Sequence, residues 1–206
     1  MNHQKGCVRM SLPIITIGRS FGSGGRIIGD KVATLLGIPL YDKELVQITA
    51  ENSGFCAAVV EQMQQKKPAS LLYTLSGSTM EFPLQDQVFF AQSAVIRDLA
   101  KKGPCVIVGR CADSILEEEA RILKVFIHAP AASRAKRAAE DYRVEARDIG
   151  DYVRKMDKKR KAYYDYFAHR TWGKTEHYHL AVNSDMGLDL AADLIVRAAK
   201  EFPQEL

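Results

Sequence analysis

A chain of 206 residues that is 47% hydrophobic and 26% charged has enough apolar material for one well-buried core and too little length for two independent ones, which excludes a disordered protein. The net charge of +4 is mild and its lysines and arginines are spread along the chain, so there is no basic tail of the kind that marks a dedicated nucleic-acid binder. No apolar run approaches the roughly 20 residues that cross a bilayer, and the opening MNHQKGCVRMS has no signal-peptide core, so the expected compartment is the cytoplasm, with no membrane partner.

In chain order, residues 1–11 read as a disordered leader and 12–206 as one domain. The run IITI (14–17) predicts a buried strand. GRSFGSGGRIIG (18–29) then forms a glycine-rich turn, and the apolar spacing of Ile28, Val32 and Leu35 or Leu36 predicts a helix that Gly37 caps and Pro39 cannot continue. A glycine-rich turn between strand and helix cradles phosphate, because its amides converge on an anion and the helix N-terminus adds favourable partial charge. Gly22, Ser23, Gly24 and Gly25 are the expected donor-phosphate cradle. In a G-x-x-x-x-G-K-[ST] loop a lysine reaches the phosphates. Gly25 stands at that position here, and Arg19 and Arg26, which flank the glycines, are the candidate substitutes.

YDKELVQITAENSG (41–54) reads as a short loop opening a helix, and about 52–88, broken by KKPAS, LSGST and FPLQD, as a small helical insertion. DQVFFAQSAVIRDLAKKG (86–103) is an amphipathic helix closed by Gly103 and Pro104. CVIVG (105–109) is a second strand that delivers Arg110 to its carboxyl end, where a guanidinium can hold phosphate through paired hydrogen bonds. Asp113 is equally readable as the N-cap or first-turn acid of the next helix. LKVFIHA (123–129) and YHLAVN (178–183) complete the strands, with helices at 133–142, 148–167 and 187–202 between and after them. On the charged run 154–167, Asp157 faces Arg160 and Lys161, and Tyr163 and Tyr164 begin an aromatic stretch. A mobile basic helix there would close over phosphates and exclude water.

The alternation of strands and helices predicts an α/β fold with a parallel sheet whose functional loops gather at the carboxyl edge. Cys7, Cys56, Cys105 and Cys111 contain no C-x-x-C pair and are expected to be reduced. The five histidines form no metal-ligand motif, although His177 and His179 would share one face of a strand. No protein-bound metal site is expected.

The opening ITIGRSFGSGGRIIG, the following GIPLYDKEL, the VIVGRCAD strand end, TWGKTEHYHLAVNS and the GLDLAADLI ending together resemble the cytidylate kinase family, and more closely its shorter cytidylate kinase-like branch. The likeness spans 14–199 apart from about 52–88. It implies a three-layer P-loop nucleotide kinase fold with a helical lid at about 150–175 and a small acceptor-binding insertion. It also implies ATP and Mg2+ as cofactors and small-molecule nucleotides as partners. By the same likeness, Asp42, Arg97, Arg110 and Asp157 contact the acceptor, with Asp157 reading the base. Arg134 and Arg137 match the arginines of the family's E-R-A-x-R-R helix, and Arg160 reaches the phosphates from the lid. Arg26, Arg160 and Arg134 are the expected catalytic cations. The expected function is an ATP-dependent transfer of the γ-phosphoryl group to a nucleoside monophosphate or similar small phosphorylated acceptor. The alternative is a non-catalytic nucleotide-binding regulatory module that has lost the loop lysine.

Overall fold

Thr16 and its neighbours Ile15 and Ile17 are shut away from water, as expected of a central strand buried on both faces. The computed structural model describes residues 12–65, 82–118 and 121–203; the leader and much of the expected insertion lie outside these. Five parallel strands form one sheet in the order β2-β3-β1-β4-β5. They are β1 (Ile14–Arg19), β2 (Leu40–Tyr41), β3 (Val106–Val108), β4 (Ile122–His128) and β5 (Leu180–Asn183). Eight α-helices are described: α1 (Gly25–Leu36), α2 (Glu44–Ser53), α3 (Ala57–Gln65), α4 (Leu84–Lys101), α5 (Ala112–Ile115), α6 (Ala131–Glu140), α7 (Ile149–Ala168) and α8 (Leu188–Lys200).

Successive side chains of a strand point to opposite faces, and β1 divides the core accordingly. Ile15 and Ile17 pack with Val106, Val108, Leu123 and Val125 beneath α1 and α8. Ile14 packs with Ile107 and Ile122 on the other face, beneath α4, α5 and the C-terminal half of α7, where Tyr163, Tyr164 and Ala168 join the core. This gives the expected three layers. The two central strands carry their carboxyl ends, Gly18-Arg19 and Gly109-Arg110, to the same edge through the pairing of Ile17 with Val108.

Two sequence expectations change and one alternative is resolved. Tyr41, read as the start of a loop, forms a strand with Leu40: a two-residue ladder on Val106 and Ile107 is too short to show alternation. Of the two candidates on α1, Leu36 packs on the core and Leu35 is exposed. His177 and His179 do not share a strand face, because His177 ends a 3-10 turn (Thr175–His177) and β5 begins only at Leu180.

His179 instead ties β5 to β4. Its amide donates to the Lys124 carbonyl (2.8 Å) and its Nδ1 accepts from the Lys124 amide (3.1 Å). Burial, and secondarily Lys124, lowers its pKa, so the unfolded chain takes the proton more readily than the folded one. His179 therefore contributes stability that is complete above the ordinary histidine pKa and is lost as pH falls below it, by a small amount because the ring is exposed and screened by solvent. Melting curves between pH 7.5 and 5.5 should fall less steeply for His179→Gln than for the unaltered chain; equal slopes would remove histidine from the account.

Candidate active site

The loop between β1 and α1 is shaped by what surrounds it. Gly22 has φ +79°, and a Cβ there would lie 2.4 Å from the Arg134 carbonyl oxygen, so no other residue fits without moving α6. Gly24 supplies a left-handed N-cap to α1, which has no side-chain cap and no acid in its first turn. Its N-terminal amides are thus left for an anion. Ser23 is fully buried, and its hydroxyl donates to the Ser20 carbonyl (2.8 Å).

The glycine at position 25 has a local cause. A Cβ there would stand 2.6 Å from the Cβ of Arg19, so the Arg19 stem excludes a lysine from this position. The Arg19 guanidinium then runs over Gly109, where Nη1 lies 1.7 Å from where a Cβ would sit. Arg19 and Arg26 both turn to the buried carboxylate of Asp42, at 3.7 Å and 3.4 Å. Asp42, expected on the acceptor, is here the common anchor of the two candidate lysine substitutes. The two are not equivalent: Arg26 is 47% exposed and Arg19 only 20%.

At the end of β3, Gly109, Arg110 and Cys111 take φ values of +74°, +62° and +55°. Left-handed geometry costs an L-residue roughly 1–2 kcal/mol, and strain of this kind gathers at functional sites. The turn carries Arg110 into a cavity of about 210 Å3 lined also by Arg19, Lys159, Arg160, Tyr163, Tyr164, Trp172 and Tyr178. Arg110 Nε is buried without a hydrogen-bond partner among the described residues. Burial, followed by the charge of Arg160, lowers the Arg19 pKa to about 9. Burial likewise lowers those of Arg110 and Arg160, partly offset by Asp42 and Asp157 respectively. Three mutually repelling, poorly hydrated guanidinia favour an incoming anion.

Asp113 is the first-turn acid of α5, whose N-cap is Cys111. Burial raises its pKa, and it accepts from the Tyr164 hydroxyl at 2.6 Å. It thereby fixes one aromatic wall of the cavity.

The remaining expected residues divide. Asp157 lies against the glycine loop: it accepts from the Phe21 amide at 2.6 Å and pairs with Arg134. Arg160 Nη1 donates to the Arg19 carbonyl (3.1 Å) and borders the cavity. Arg137 Nη1 donates to the Gly22 carbonyl (2.9 Å). Arg97 is half-buried on α4 and does not line the cavity. Sequence reasoning did not assign Lys159, Trp172 and Tyr178 to the site, and only the adjacent Tyr163 and Tyr164 carried a signal, as the start of an aromatic stretch. Among the described residues no three His, Cys, Asp or Glu side chains gather as a metal site, and no helix is long and apolar enough to cross a membrane.

Among solved structures, the chain is similar to an uncharacterized protein from Eubacterium ventriosum, with 28% identity and a TM-score of 0.71 over 92% of this chain and 99% of that one. It also shares its fold with a shikimate kinase from Acinetobacter baumannii in complex with shikimate (16% identity, TM-score 0.53, covering 93% of this chain and 96% of that one). A gluconokinase from Sinorhizobium meliloti is likewise similar in fold (16% identity, TM-score 0.54, with the same 93% and 96% coverage). No curated protein matches the sequence. The cytidylate kinase-like family model matches residues 14–186, and with the glycine loop, the parallel sheet and the arginine-lined edge in place, the chain belongs to the cytidylate kinase-like family.

Proposed function

We propose that the protein is an ATP- and magnesium-dependent phosphotransferase that moves the γ-phosphoryl group of ATP to a nucleoside monophosphate or similar small phosphorylated acceptor in the cytoplasm. The observation that carries this reading is the convergence of Arg19, Arg110 and Arg160 on one cavity beside the glycine loop, with the Arg110 Nε–H unpartnered. The loop amides and the uncapped start of α1 suit the donor phosphates. Arg110 suits the acceptor's anionic group, and Tyr163, Tyr164 and Trp172 its apolar or ring portion.

Phosphoryl transfer asks little covalent chemistry of a protein: the acceptor oxygen forms its bond to phosphorus as the bond to the departing ADP breaks, and the protein aligns and neutralises. Arg19, held on the cavity side of the loop, takes the place of the lysine, and Arg160, at the border of loop and cavity, neutralises the transferring group. Arg26, more exposed and anchored on Asp42, assists at the donor side. Magnesium would supply charge neutralisation between phosphate oxygens. The described residues offer it no carboxylate cage, so phosphate oxygens and water would hold it.

ADP production from ATP and Mg2+ should depend on one member of a panel of nucleoside monophosphates and small phosphorylated metabolites. Arg110→Ala should lower kcat/KM for that acceptor by about 100-fold, chiefly through KM. Unchanged acceptor affinity and turnover would place the acceptor elsewhere. The non-catalytic reading draws on Gly25 at the lysine position and on the loop's engagement by Asp157. It would gain if ATP bound and no acceptor stimulated turnover.

A further inference from the structure

Arg19, Phe21 and Gly22 of the loop are gripped by two helices, α6 and α7. The Arg19 carbonyl accepts from Arg160 (3.1 Å), the Phe21 carbonyl from Arg134 (3.2 Å) and the Gly22 carbonyl from Arg137 (2.9 Å). The Phe21 amide donates to Asp157 Oδ1 at 2.6 Å, while Asp157 Oδ2 pairs with Arg134. The Phe21 ring completes the grip. It lies under the Arg160 guanidinium (5.2 Å) and meets Tyr142 and Tyr152 edge-on at 5.8 Å and 5.6 Å.

A carboxylate oxygen on a glycine-loop amide, with an arginine on its other oxygen, has the bonding of a phosphate in such a loop. From this geometry we infer that Asp157 is a built-in phosphate surrogate: it latches α7 onto the loop, and the donor's polyphosphate enters by displacing it. The inference takes from the proposed function only that the loop receives donor phosphates. Displacement exchanges one anion for another. Arg134, which holds Asp157 in the latched state, is freed to face the phosphate that replaces it, so Asp157 and the donor cannot occupy the Phe21 amide together. The latch thereby couples donor binding to release of Asp157, while Arg160 keeps α7 on the Arg19 carbonyl. Both the carboxylate and its guanidinium partner are largely buried, at 18% and 15% exposure, so the pair is not a solvent-screened surface contact.

The test compares the full chain with Asp157→Ala and Asp157→Asn. Asp151→Asn, which removes an equal charge from the exposed first turn of the same helix, serves as control. Calorimetric titration with ATP and Mg2+ should show about tenfold tighter binding for Asp157→Ala, because the donor no longer competes with a charge-assisted hydrogen bond. Asp157→Asn should give a smaller gain in the same direction, and Asp151→Asn a change within about twofold. Hydrogen exchange at the Phe21 amide should be slow in the unaltered protein and in Asp151→Asn, and fast in Asp157→Ala. Unchanged or weaker ATP binding in both Asp157 variants would overturn the inference, as would a Phe21 amide that exchanges equally fast in all forms. If no form bound ATP or pyrophosphate, the exchange of anions would be refuted. Tightened ATP binding without turnover on any acceptor would leave the latch standing and remove the kinase reading alone.

Discussion

Replacing Arg19 with methionine should lower acceptor-dependent turnover by about 100- to 1,000-fold, the usual cost of removing one preorganised charge from a developing transition state, while leaving the melting temperature at or above that of the unaltered protein. Methionine keeps an apolar stem over Gly25, whose missing Cβ the stem of Arg19 fills at 2.6 Å, so the loop retains its support. What disappears is a guanidinium whose pKa burial and Arg160 hold down at about 9. A depressed arginine pKa means that the folded state pays for the charge at neutral pH, and removing it relieves Arg160 and Arg110. Asp42 keeps Arg26 as its partner at 3.4 Å. Steady-state kinetics and thermal melts on the same preparation decide the matter. A melting temperature that falls along with activity would make Arg19 a structural residue, and turnover within a few-fold of the original would hand the lysine's role to Arg26.

Gly22→Ala should cost roughly 2–4 kcal/mol, adding a left-handed penalty of about 1–2 kcal/mol to the cost of overlap with fixed backbone. The obstacle is the Arg134 carbonyl oxygen at 2.4 Å, which moves only if α6 moves with it. In a chain of this length that corresponds to a fall of roughly 5–15 °C in Tm, and ATP binding should weaken with it. Gly37→Ala is the matched comparison: it carries φ +65° with nothing within 4 Å, so it should pay the conformational penalty alone. If the two variants melt together, the close approach of α6 to the loop has no energetic weight.

Five of the residues matched one by one to phosphate- or base-contacting positions bond other groups of the chain in this structure, whereas the Arg110 Nε stays unpartnered beside the cavity. Asp42 anchors Arg19 and Arg26, Asp157 holds the Phe21 amide, and Arg134, Arg137 and Arg160 bond loop carbonyls. Charged side chains brought to one sheet edge satisfy each other unless another ion intervenes, and such pairings depend on three-dimensional neighbours that linear spacing does not encode.

By itself the sequence determined the α/β class, four of the five strands, the glycine loop with its helix cap at Gly37, and the delivery of Arg110 to a strand end. These are local properties, set by apolar periodicity, glycine's access to positive φ and the strand-turn-helix context. Only the tertiary structure decided the rest. The ladder that makes Leu40 and Tyr41 a strand exists because Val106 and Ile107 lie beside them. Gly25 is explained by the stem of Arg19 folding back over it. Tyr178 and Trp172 join α7 as cavity walls from beyond its end in the sequence, and Asp157 meets a loop amide 136 positions away. Contacts at such separations arise from how the sheet orders its strands and where α6 and α7 come to rest, and no periodicity along the chain records either.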